Sequence, residues 1–371
     1  MRIGIITFHR PENFGSALQA FALYEYLSKQ KHDVYVIDFV FPRDMKQYRL
    51  FRTHVYIGRP WSVLGDIVYF KRNVSKKIKF RNFRKQYLRL TDSYVYQKDD
   101  LTTLNKDFDA FICGSDQIWN LDCTGGIVPE YFLEFVDNNR LRISYAPSMP
   151  ENPKKEYQET LRSILMRFDS ISVRENKTKF FFENELHICK PVEHVIDPTL
   201  LLDPNDYIDR FGLIKKEEKY IFVYVLGNTD IKEKIVMEAN RKSEETGLPI
   251  RYVMVRRLRG LRNSSYLFGI GPIEFLDMIL NASFVITDSF HATVFAILFG
   301  VPFCTFSREG TSSRMKELLD NFELSENYYS GDGQRIPPYK PTTNDSMNMI
   351  KSYRKSSSAF LLNSLDKKFY K

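Results

Sequence analysis

The opening stretch MRIGIITFHRPENFGSALQAFALYEYLSKQKHDVYVIDFV constrains the fold more than any other part of the chain. Its two apolar runs, RIGIITF and DVYVIDFV, are continuous, as strands buried on both faces of a parallel sheet are. Between them Leu18, Phe21, Ala22 and Leu27 recur near one face of a helix expected from about Ser16 to Lys29. The stretch reads as a βαβ unit. Strand-like runs follow at 109–114, 142–146, 170–174 and 192–197, with the helical KKEYQETLRSILMRF between two of them. A second series begins with KYIFVYVLG, passes through the helical KEKIVMEANRKSEETG into PIRYVMV, and reaches GPIEFLDMILNASFVITDSFHATVFAILFGVPFCTF. This order predicts an α/β fold of two doubly wound, Rossmann-like domains facing a cleft. Their expected bounds are 1–205 and 206–332, with residues 333–371 packing back across them.

At 371 residues and 43% apolar composition the chain can fill two cores of that kind. Cys113, Cys123, Cys189 and Cys304 are far apart, the six histidines are scattered, and no acidic pair has diagnostic spacing, so no metal site is expected. Met1 leads directly into a strand, which predicts a cytoplasmic protein without a cleavable leader. The longest apolar run, 292–303, falls short of the roughly 18 to 20 residues that span a bilayer. The net charge of +8 is concentrated: residues 43–90 hold 14 Lys or Arg against two Asp, so the remainder is slightly acidic.

Five segments in order, NFGSALQAFAL (13–23), FDAFICGSDQIWN (108–120), SVRE (172–175), VIDPTLLL (195–202) and TDSFHATVFAILFGVPF (287–303), resemble the polysaccharide pyruvyl transferase family. The resemblance spans roughly residues 2–325. It implies a fold like that of the GT-B glycosyltransferases, with an acceptor side in the first domain and a donor side in the second. It also implies transfer of the enolpyruvyl carbons of phosphoenolpyruvate onto a saccharide or lipid-linked saccharide as a ketal, with no cofactor.

Several positions invite chemistry, each beside a plainer role. Gly15 and Ser16 open the first helix, whose leading N–H groups either bind an anion or are simply capped. By resemblance Asn13, Gly15 and Gln19 line the cleft. Gly114, Ser115 and Asp116 directly follow a buried strand, where an open sheet has its ligand crevice. Asp116 is either the base that activates an acceptor hydroxyl or the cap of the next turn, and Trp119 either stacks on a sugar or packs beneath it. Arg174 either binds the donor's carboxylate or phosphate, or pairs with Asp197.

His291 follows the strand SFVIT and the turn Asp288-Ser289, opening a helix that stops at Gly300. The positive end of the helix dipole favours a neutral imidazole and a nearby anion. By resemblance His291 is the general acid and Ser289 a donor-binding neighbour. Many relatives carry an arginine one or two residues before this histidine, where this chain has Ser289 and Phe290. Arg314 is the preferred substitute, ahead of Lys316 and of Arg256, Arg257 and Arg259 in VRRLRG.

The basic insertion interleaves cations with aromatics, a pattern suited to a solvated helical excursion or to an anionic membrane surface. Lipid-linked acceptors favour membrane contact through residues 43–90, placing the protein in the cytoplasm or peripherally on the inner face of the cell membrane. Without a recognisable motif, nucleic acid is the least favoured partner. A nucleotide-sugar-dependent glycosyltransferase and a noncatalytic saccharide-binding protein are the rival readings.

Overall fold

The computed structural model describes residues 1–42, 50, 67–97, 99–226, 231–254, 258–307, 312–329 and 339–367. The chain divides into two compact units, Met1–Leu201 with Tyr353–Lys371, and Leu202–Ser352. In the first unit, β1 (Arg2–Ile6), β2 (Asp33–Val40), β3 (Leu90–Val95), β4 (Ala110–Cys113) and β5 (Leu141–Ser144) form a parallel sheet in the order β3-β2-β1-β4-β5. A bridge between Ile143 and Ser170 links it to the parallel pair β6 (Ile171–Val173) and β7 (Val192–His194).

Helix α1 (Phe14–Lys29) starts two residues earlier than expected, because Asn13 rather than Ser16 is its cap. The Asn13 carboxamide oxygen accepts from Gly15 N at 2.9 Å and Ser16 N at 3.4 Å. α1 packs on β2 and also against α2 (Phe70–Tyr87), the helix of the basic insertion. α2 is mostly polar, and its buried stripe is Phe80, Phe83 and Tyr87. Phe80 meets Phe14 at 5.4 Å between ring centroids, and Phe83 and Tyr87 meet Phe21 at 6.0 and 6.2 Å. At roughly 1.5–3 kcal/mol for each buried aromatic ring, this stripe anchors α2 to the core. These rings therefore serve packing, not a membrane or nucleic-acid surface. Much of the insertion, 43–49 and 51–66, lies outside the described residues.

In the second unit, β8 (Ile221–Val225), β9 (Ile250–Met254), β10 (Ser264–Tyr266), β11 (Phe284–Thr287), β12 (Phe303–Phe306) and β13 (Tyr328–Tyr329) form a parallel sheet in the order β10-β9-β8-β11-β12-β13. Its crossovers include α3 (Lys232–Thr246), α4 (Pro272–Leu280), α5 (Phe290–Leu298) and α6 (Ser312–Asp320). The apolar run 292–303 is α5 and its exit: from His291 to Leu298 every residue is buried, as a helix apolar on all sides requires. Gly300, at φ 65°, takes the left-handed position that ends it. The last helix, α7 (Asn344–Asp366), joins the first unit from Tyr353, where Ser357 Oγ accepts from Ile196 N at 3.0 Å and Arg354 Nε donates to Leu200 O at 2.6 Å. Among the described residues, no helix is long and apolar enough to cross a membrane.

Both sheets are doubly wound and Rossmann-like, in the element order expected of a GT-B-like chain. Reversal of strand order falls between β1 and β4 in one sheet and between β8 and β11 in the other, and ligands of such sheets bind beyond the strand carboxyl ends at these points.

Candidate functional site

At the first reversal, the segments following β1 and β4 are laced together. Gln19, fully buried on α1, donates from Nε2 to Thr7 Oγ1 at 2.9 Å and Phe8 O at 3.0 Å, while its Oε1 accepts from Ser115 N at 3.1 Å. Thr7 Oγ1 in turn donates to Ser115 O at 3.1 Å. Gly114 is obligatory: at φ 122°, an added Cβ would lie 2.0 Å from Tyr145 O. Gln19, Gly15 and Asn13 thus shape the turn from within, Asn13 by capping and Gly15 inside the first turn of α1.

Asp116 sits at φ 64°, ψ −169°, a conformation that costs a non-glycine residue about 1–3 kcal/mol and clusters at functional sites. Its carbonyl accepts from Ser148 N at 2.8 Å, and its carboxylate accepts from Ser16 Oγ at 2.6 Å and Gln117 N at 2.9 Å. It is therefore a cap, and a strained one. Trp119 is fully buried, stacked on Phe132 at 5.0 Å with Phe168 and Phe182 on other sides, and its indole N–H donates to Tyr131 O. This corrects the sugar-stacking role: no ring face is left for a ligand.

Arg174 is likewise corrected. It is buried, with Nη1 donating to Asp197 Oδ2 at 2.7 Å and Nε to Glu175 Oε1 at 3.3 Å. Burial works against its charge, but Glu175 and Asp197 outweigh it and raise the guanidinium above its ordinary range. Both carboxylates are themselves engaged, Glu175 by Ser148 Oγ at 2.6 Å and Asp197 by Thr199 Oγ1 at 2.7 Å. Ser115 Oγ reaches Asp197 at 3.4 Å. Four of the five motif segments therefore close into one buried polar network, and Arg174 is its internal counter-ion instead of a donor ligand.

The fifth segment belongs to the second unit. Asp288 Oδ1 accepts from Leu226 N at 2.8 Å, tying the end of β11 to the end of β8 at the reversal point. Ser289 is the N-cap of α5, its Oγ accepting from Ala292 N at 3.3 Å, so its hydroxyl serves the helix where a donor-binding role was expected. His291, the second residue of α5, is buried with 8% of its surface exposed, its ring edge-on to Phe290. Thr293 on α5 bonds Thr305 of β12 at 2.7 Å, and Thr305 reaches Met315 Sδ at 3.8 Å, bringing the start of α6 to the same sheet edge. Arg314, beside Met315, is buried, and Lys316 is exposed on the same helix. Arg259 is exposed, and Arg256 and Arg257 lie outside the described residues.

One cluster was missed from the sequence: His9 and Arg10 beyond β1, both bonded to Asp38 of β2. Its signal was an aspartate inside the apolar run DVYVIDFV, near a strand's carboxyl end.

Two Rossmann-like sheets, each with a polar constellation at its reversal point, define a two-unit protein of the doubly wound α/β class. The chain belongs to the polysaccharide pyruvyl transferase family, whose model matches residues 13–310. It is accordingly a transferase, and pyruvyl transfer is the chemistry of its family. Among solved structures it is similar to the UDP-GlcNAc 2-epimerase from Methanocaldococcus jannaschii (12% identity, 96% of this chain and 100% of that one, TM-score 0.49). It is also similar to UDP-GlcNAc 2-epimerase from Neisseria meningitidis bound to UDP-GlcNAc (11% identity, 99% and 100%, TM-score 0.48). An alpha-glucosyltransferase in complex with UDP matches at 11% identity, over 100% and 94% of the two chains, with a TM-score of 0.48. No curated protein matches the sequence.

Proposed function

We propose that this chain transfers the enolpyruvyl group of phosphoenolpyruvate to a pair of hydroxyls on a saccharide of a surface polymer, closing a cyclic ketal and releasing phosphate. The observation that carries this reading is a buried imidazole and a buried guanidinium, His291 and Arg314, in the first turns of the two helices that follow β11 and β12. A cation in a helix's first turn adds to the positive end of its dipole, an arrangement that favours a bound anion. An imidazole beside such an anion is placed for acid catalysis.

In the proposed sequence His291 protonates the enol methylene, while one acceptor hydroxyl adds to the donor's central carbon and releases its proton to water. The second hydroxyl then displaces phosphate from the tetrahedral intermediate, its proton leaving with the phosphate. Arg314 offsets the donor's charge.

Titration of phosphoenolpyruvate, UDP-sugars and GDP-sugars into the protein tests this. Saturable binding of phosphoenolpyruvate alone, weakened in Arg314→Ala, is expected. Nucleotide-sugar binding instead would make the chain a glycosyltransferase, and binding of none would leave a saccharide-binding protein.

The acceptor is proposed to be lipid-linked, with α2 resting on an anionic membrane surface. Its exposed Phe70 and Ile78 lie among Lys71, Lys79, Arg81 and Lys85, and Ile67 and Val68 just before it are exposed as well. Cosedimentation with anionic vesicles should fall at high salt and in a variant with those four cations neutralised. Equal binding by both proteins would remove the membrane from the reading.

A further inference from the structure

Beyond β1 the chain passes through Thr7, Phe8, His9 and Arg10 before α1 begins. His9 is 1% exposed, with Nδ1 3.1 Å from Thr7 O and Nε2 2.8 Å from Asp38 Oδ1. Arg10 grips the same carboxylate in a fork, Nε donating to Oδ1 at 2.7 Å and Nη2 to Oδ2 at 2.5 Å. Ser93 Oγ of β3 donates to Asp38 Oδ2 at 2.6 Å and accepts from Arg10 Nη2 at 2.9 Å. The carbonyl of Arg10 accepts from Arg84 Nη1 of α2 at 3.2 Å. Three elements therefore hold this one residue, side chain and backbone together.

This is more than Asp38 needs. Burial opposes its ionisation, yet His9, Arg10 and Ser93 together hold the carboxyl well below the usual carboxylate range. The guanidinium is not enclosed as that of Arg174 is: 24% of the side chain stays exposed, and Nη1 takes part in none of these bonds. Arg84 stands beside it, and Glu12, two residues on, has Lys77 at 3.9 Å; Lys76 lies 5.3 Å from the Phe14 and Phe80 ring centroids. Among the described residues, Arg10, Arg84, Lys76 and Lys77 gather about two carboxylates, Glu12 and Asp38, a surplus of positive charge in a partly buried corner. Burial pushes Lys76 down to about 8 although Glu12 opposes the shift. The corner lies beside the strand reversal, on the side where open sheets bind ligands.

We propose that Arg10 is an anion-recognition residue of the first unit, positioned by Asp38 and Ser93 to take a phosphate or carboxylate of a substrate. The proposal rests on the transferase reading and adds a charged substrate group bound by the first unit. A planar fork already locked on one edge loses little freedom when its other edge binds an oxyanion. The anion belongs either to phosphoenolpyruvate or to a phosphorylated saccharide acceptor.

Phosphoenolpyruvate, inorganic pyrophosphate, glucose 1-phosphate and glucose are titrated calorimetrically into the wild type, Arg10→Gln, Arg10→Lys and Ser93→Ala, with thermal melts of each. A phosphate-bearing ligand bound by the wild type should lose roughly 10- to 100-fold in affinity in Arg10→Gln. Arg10→Lys should recover only part of it, since an ammonium lacks the fork. Ser93→Ala, which keeps the charge and loosens its seat, should show a smaller loss restricted to anions, and it carries the test if Arg10→Gln does not fold. Loss confined to phosphoenolpyruvate assigns the corner to the donor; loss confined to glucose 1-phosphate and pyrophosphate assigns it to the acceptor. Unchanged affinities, equal losses for glucose and anions, or no anion binding by the wild type each overturn the proposal. A wild type that binds glucose 1-phosphate through Arg10 and no phosphoenolpyruvate refutes the pyruvyl-donor reading alone. Phosphoenolpyruvate binding that every variant retains, without an Arg10-dependent anion, refutes this proposal alone.

Discussion

His291→Asn is expected to lower turnover by roughly 10²- to 10⁴-fold, the usual contribution of a positioned acid or base, once a competent acceptor is supplied. The replacement keeps a polar side chain of similar reach, so the buried start of α5 and its Ser289 cap should persist. An amide cannot deliver a proton to the enol methylene at neutral pH. Phosphoenolpyruvate affinity should fall much less, because Arg314 remains. Phosphate release under single-turnover conditions, beside a donor titration, separates the two effects. Near-normal turnover by a folded variant would make His291 a packed residue and return the acid role to another group.

The second large effect concerns stability. Arg174→Ala should destabilise the protein by about 3–5 kcal/mol, as expected when one partner of a buried ion pair is removed and the others stay charged. Asp197 and Glu175 would remain in the interior with their hydroxyl partners but without their cation. Urea unfolding should show a lower midpoint with an unchanged slope, the sign of lost stability in an unaltered transition. Phosphoenolpyruvate affinity of the folded protein should stay close to that of the wild type. A variant of normal stability that no longer binds the donor would restore the ligand role the sequence had left open.

The two results probe residues that look alike in the sequence. Arg174 and Arg314 both follow a strand in sequence, one directly and one in the next helix, in short motifs rich in polar residues. What the tertiary structure adds is the pairing of Arg174 with Asp197, 23 residues on, and with the adjacent Glu175, while Arg314 is in the first turn of α6. The same holds for Trp119, whose burial depends on Phe132, Phe168 and Phe182 from later segments.

By itself the sequence determined the central architecture. Continuous apolar runs such as those of β1, β8 and β11 have no polar face to give to water, so they must sit in the middle of parallel sheets, and the helices between them follow from the need to cross over. Edge strands were illegible for the converse reason: LTDSYV, SSY and YY are partly exposed, and hydrogen bonding to a neighbour, not an apolar pattern, makes them strands. Segments such as 108–120 and 287–303 stood out because each runs out of a fully buried strand. Only the tertiary structure decided what each side chain does there. A buried polar residue takes its role from the partners that desolvation forces on it, and those of Gln19, Asp116, Arg174 and Arg10 come from distant segments that only folding brings within hydrogen-bonding distance.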